Sequence, residues 1–146
     1  MENAVTFILL GLLMLCSIQD LRTKKIGLWI LILGGVMLCA VIPFQNTIAF
    51  YDRIGGAAVG VTVILISLAT GGKIGIGDGL LLCISGLGLG FWSNLELFAL
   101  ALFLAAIVSI ALMTARLADR KKSIPFVPFL LMGYIFIIAS NLRGWT

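Results

Sequence analysis

The chain has 146 residues, of which 62% are hydrophobic and only 11% charged, with ten Lys and Arg against six Asp and Glu. A water-soluble domain carries about 25% charged residues, so these proportions exclude a soluble globular protein. Histidine is absent, which excludes Ser-His and Cys-His nucleophile pairs and the HExxH zinc site of membrane metalloproteases.

The charges leave six uninterrupted runs, at 3–19, 26–51, 54–72, 79–95, 97–115 and 123–142. A bilayer core of about 30 Å takes about 20 apolar residues as a helix. Each run therefore predicts one short membrane helix, and residues 1–146 read as a single all-α bundle of six transmembrane helices. The first run follows Glu2 with no basic stretch before it, so no cleavable signal is expected. The third carries Gly56 and Gly60, and the fourth Gly86 and Gly90, a spacing that lets membrane helices approach closely. The apolar part of the fourth run, 79–92, has only 14 residues and reaches roughly 21 Å. Gly71, Gly72, Gly75 and Gly77 precede it. Such a segment is tolerated at membrane depth only when buried in protein or lining a wet cavity. Pro125 and Pro128 open the sixth run, where proline starts or bends a helix. Cys16, Cys39 and Cys83 all lie inside apolar runs without a CxxC pair. They read as buried small hydrophobes rather than metal ligands or disulfides, and no metal or cofactor is expected.

Six spans place alternate connections on one side. Arg22, Lys24, Lys25, Lys73, Arg116, Arg120, Lys121 and Lys122 share a side, leaving Arg53 and Arg143 opposite. Short loops rich in Lys and Arg stay in the cytoplasm, so both termini are expected outside. The basic balance thus reflects topology, not nucleic-acid binding, and the 116–122 cluster suits anionic lipid headgroups. Asp119 sits among those basic residues, and local ion pairing accounts for it.

Asp20 and Asp78 remain. Asp20 directly follows the first run and Asp78 directly precedes the fourth, so both belong to cytoplasmic helix ends of one bundle. Two carboxyls held close share a proton, so one can act as general base on a water while the other polarises a peptide carbonyl. Helix capping or pairing of Asp20 with Arg22, Lys24 or Lys25 is the competing reading of the same residues.

Asp20-Leu21-Arg22-Thr23-Lys24-Lys25-Ile26, Gly75-Ile76-Gly77-Asp78 and Ile124-Pro125-Phe126-Val127-Pro128-Phe129 occur in this order. Together they resemble the three motifs of the type IV prepilin peptidases, which are GxGD intramembrane aspartyl proteases. The resemblance implies Asp20 and Asp78 as the catalytic pair. It implies a prepilin or pseudopilin substrate, entering as a hydrophobic helix behind a short basic leader that is cut at the cytoplasmic membrane face of a prokaryote. Gly75 and Gly77 would then let the extended substrate segment approach closely. The sequence departs from the family pattern at Gly27-Leu28, where Pro-Asn is common, at Gly79-Leu80, where a lysine commonly follows two positions after the aspartate, and at Val127, commonly glycine. The carboxylate chemistry is untouched by these differences. Larger members carry an amino-terminal segment with CxxC pairs that is associated with methylation. No such segment is expected here, so the chain resembles the short prepilin peptidases of Flp-type pilus systems and archaeal preflagellin peptidases. Two other functions compete with this reading. One is a small ion- or proton-coupled transporter, since acidic residues and glycine-interrupted helices mark ion pathways; the other is an inactive pilus-assembly scaffold.

Overall fold

A computed structural model of the chain describes residues 2–23, 26–44, 47–71, 75–115 and 125–143. Lys24, Lys25, Lys73, Arg116, Arg120, Lys121, Lys122 and Asp119, on which the orientation argument leans, lie outside the described residues.

The described chain is helical, with no strand. Its elements are α1 (Glu2–Thr23), α2 (Leu28–Val41) followed by a 3-10 turn (Ile42–Phe44), α3 (Phe50–Ala69), α4 (Ile76–Leu89), α5 (Phe91–Thr114) and α6 (Val127–Arg143). Within α1, Ala4–Thr23 is long and apolar enough to cross a membrane, and so are α3 and α5; Leu28–Phe44, α4 and Val127–Asn141 are shorter apolar helices. Large side chains such as Phe7, Trp29, Tyr51, Trp92 and Phe103 face outward. That is the expected inversion when the solvent is lipid.

Helix α4 is the hub. It packs on α1, α2, α3 and α5, and it buries Gly79, Leu81, Leu82, Ser85, Gly86 and Gly88, about half of its circumference. By contrast α5 buries only Asn94, Leu97 and Ala101, a single stripe at helical spacing. The contact between α3 and α4 is the most extensive in the bundle. A Cβ on Gly56 would meet the carbonyl of Gly86, and one on Gly60 would meet Cys83 and the carbonyl of Gly79. Close backbone approach of this kind drives helix association in lipid, where apolar side chains gain little from leaving the solvent.

The break between the fourth and fifth helices falls at Gly90, not at Glu96, which lies inside α5. Gly90 has φ 82° and ψ 179°, a conformation that is essentially restricted to glycine. Asp52, in the first turn of α3, accepts the N–H of Phe91 at 3.1 Å and so satisfies one of the free donors at the start of α5. The neighbouring Arg53 is buried and donates to the carbonyl of Leu87 at 2.8 Å. Both charges therefore belong to helix packing at this end of the bundle. The cysteines diverge from expectation: Cys16 is buried, Cys83 half-buried and Cys39 exposed. In a membrane an outward-facing thiol meets lipid, at little cost for so weakly polar a group.

Asn94 is fully buried and ties three helices together. Its Nδ2 donates to the carbonyls of Gly56 at 2.9 Å and Leu82 at 3.0 Å, and its Oδ1 accepts from the Ser85 hydroxyl at 2.7 Å. Replacing it with Leu removes all three bonds. The expected loss is about 1–2 kcal/mol of stability, measured as a lower melting temperature of the detergent-solubilised protein.

Candidate active site

At the end of the bundle opposite Gly90, three sequence-distant segments meet. Asp20 lies within the last turns of α1, which runs through Thr23, and not beyond the helix. Its side chain is only 6% exposed, and its Oδ2 accepts the N–H of Val127, the first residue of α6, at 3.2 Å. That N–H has no partner within its own helix, so the carboxyl caps α6 from another element. Part of the capping reading of Asp20 is thereby realised, with a partner 107 positions away rather than the adjacent basic residues.

Asp78 sits in the first turn of α4 and is half-buried. Its backbone N–H bonds to the carbonyl of Gly75 at 3.1 Å, so the helix begins before this charge rather than after it. The Asp78 and Asp20 carboxyls lie within electrostatic range of one another. Gln19, next to Asp20, holds the Gly27 N–H, and Ile26 packs at Gly77, next to Asp78, so the two aspartates share one end of the bundle with 57 intervening residues in the sequence.

The glycines of the second motif differ. Gly75 is exposed, and a Cβ there would stand 2.9 Å from Oδ2 of Asp78. Its bare backbone keeps the approach to that carboxyl open. Gly77 is inside α4, and a Cβ on it would meet the Ile26 side chain at 3.0–3.3 Å. The room left by its missing side chain is shared with Ile26. From the third motif, Phe126 makes an edge contact with Phe98 of α5 at 6.3 Å between ring centres.

A residue that charge counting passes over completes this end. Gln19, beside Asp20, accepts the N–H of Gly27 through Oε1 at 2.9 Å. An amide inside a charge-free run carries no signal in such a count; its adjacency to Asp20 was the available clue.

A separate groove of about 340 Å³ runs between α1 and α2, lined by residues such as Phe7, Gly11, Leu15, Ile30, Leu33 and Met37. All are apolar, so acid–base chemistry has no foothold there. Among the described residues no group of three or more His, Cys, Asp or Glu side chains is placed to hold a metal ion.

Apolar helices, three of them long enough to cross a membrane, define an all-helical protein of membrane type, with Asp20 buried and Asp78 half-buried at one end of the bundle. Residues 7–110 match the profile of the type IV leader peptidase family. The match spans more than half of the chain and includes Asp20 and the 75–78 string, and the chain belongs to this family of peptidases. It matches no curated protein and no solved structure at a significant level.

Proposed function

We propose that the protein is an intramembrane aspartyl endopeptidase that removes short basic leaders from prepilins or pseudopilins, with Asp20 and Asp78 as its catalytic pair. The observation that carries this reading is the convergence of Asp20, Asp78 and the amino terminus of α6 at one end of the bundle, although they come from widely separated parts of the chain. One carboxyl takes a proton from a water as it attacks the scissile carbonyl. The other, protonated, donates to the carbonyl oxygen; the first then passes the proton it took from water to the leaving nitrogen, and as the C–N bond breaks the second recovers a proton from the gem-diol hydroxyl. Such a pair needs neither a side-chain nucleophile nor a metal.

Each neighbouring group has a role in this scheme. The Val127 N–H fixes the orientation of the Asp20 carboxyl, which limits the conformations that must be lost on reaching the transition state. Gly75, exposed beside Asp78, lets an extended substrate backbone come within reach, whereas the room at Gly77 is taken by Ile26. With six transmembrane spans and both termini outside, this end faces the cytoplasm, the side on which the basic residues of the sequence gather. The substrate's hydrophobic helix remains in the bilayer and presents its leader there.

Co-expression with a prepilin that carries a short basic leader tests the reading. Expected are a faster-migrating pilin and a new amino terminus by mass spectrometry. Ion flux through proteoliposomes that depends on Asp78, without cleavage of any prepilin, would instead favour a transporter.

A further inference from the structure

Gln19 and Gly27 form a clasp at the start of α2. Gly27 precedes α2 with φ −70° and ψ 119°, and its N–H is held by Oε1 of Gln19 at 2.9 Å. A Cβ on Gly27 would stand 2.8 Å from Nε2 of Gln19. The amide therefore occupies the space a side chain at 27 would need. Ile26, the residue before, packs into the gap at Gly77, within 3.0–3.3 Å of where a Cβ would be. Gly77 is the neighbour of Asp78 in the first turn of α4. One chain of contacts thus leads from the residue adjoining Asp20 to the residue adjoining Asp78.

We infer that Gln19 is a positioning residue: by clasping the Gly27 N–H it seats Ile26 against Gly77 and thereby fixes the first turn of α4, and Asp78 with it, relative to Asp20. The inference rests on the peptidase reading for its effect on rate, but not for the contacts themselves. A glycine is the most mobile of residues, so without the clasp the backbone at 27 is free to leave its extended conformation and release Ile26. The same geometry offers a substitute. A backbone φ of −70° lies within the range that proline imposes, and proline has no N–H to satisfy. Proline at 27 can hold the backbone in place of the clasp, because the Gln19 amide ends a flexible side chain that can swing out of the space the ring needs.

The test is a cycle of Gln19→Ala, Gly27→Pro and the double variant, in the full chain. With a cleavable prepilin in detergent, Gln19→Ala is expected to lower kcat about tenfold with KM little changed. Gly27→Pro alone is expected to keep kcat within about threefold of the parent, since the Gln19 side chain can swing aside. The double variant is expected to recover kcat to within about threefold of the parent. Recovery in the double variant decides the matter even where Gln19→Ala accumulates poorly. A double variant no better than the worse single variant, or Gln19→Ala with unchanged kcat, overturns the inference. Amide hydrogen exchange provides a readout free of catalysis. Residues 26–28 and 76–79 should exchange faster in Gln19→Ala and regain protection in the double variant; unchanged exchange also overturns the inference. If the parent protein cleaves no prepilin while exchange follows this pattern, the peptidase reading fails and the clasp stands.

Discussion

Asp20→Asn and Asp78→Asn are each expected to stop leader removal while the protein accumulates in the membrane at normal levels. Either change keeps the size of the side chain and removes the group that accepts or supplies a proton. General acid–base groups contribute about 10²–10⁴ in rate each, so residual cleavage should fall at least about a hundredfold. Accumulation is the necessary control, because Asp20 also holds the Val127 N–H at 3.2 Å. In Asp20→Asn the amide oxygen of the new side chain can still accept that bond, so the cap on α6 survives while the acid–base function is lost. Loss of activity together with loss of protein would mean that the capping bond, not the chemistry, had been tested. The check is an immunoblot of pilin and peptidase from the same membranes.

A second large effect concerns the seam between α3 and α4. Gly56→Leu or Gly86→Val would drive a side chain into the backbone of the facing helix, because even a Cβ at either position meets backbone atoms. Backbone cannot swing aside as a flexible side chain can. Overpacking costs about 1–3 kcal/mol where neighbours can adjust, and here the cost should reach the top of that range or exceed it. Since Asp78 rides on α4, cleavage should fall along with thermal stability. Gly11→Ala is the matched control: it lies within α1 with nothing within 4 Å of an added Cβ. Replacing a helical glycine by alanine is worth about 0.5–1 kcal/mol of stability, so this variant should melt at or slightly above the parent temperature.

The charge pattern made the pair legible because so few charges had to be explained. Once the basic residues and Asp119 were assigned to the rim, Asp20 and Asp78 stood out at helix ends, with pairing to Arg22, Lys24 or Lys25 as the competing account of Asp20. The same pattern misplaced helix boundaries. Asp52 and Arg53 lie inside α3, Asp78 inside α4 and Glu96 inside α5, because a membrane helix tolerates charge in its end turns, where it can be solvated or paired with other helices. What ends α4 is a glycine with positive φ, and a count of charges is blind to it. Gln19 and Asn94 escaped for a related reason. Each is a neutral amide bonded mainly to backbone groups outside its own helix, and nothing in residue identity marks such bonds. The Val127 N–H is less legible still, since a backbone donor leaves no trace in residue identity beyond the prolines that flank the start of α6.

The claim at the centre of this account is that Asp20 and Asp78 act as one catalytic unit. Cleavage rates of a purified prepilin by the parent protein, Asp20→Asn, Asp78→Asn and the double variant, all reconstituted in lipid vesicles, test it most directly. Groups that act as a unit give strongly non-additive losses. The account predicts that the double variant is no slower than either single variant, with all three at the same residual rate. Independent, multiplying losses, or native cleavage by either single variant, would contradict it.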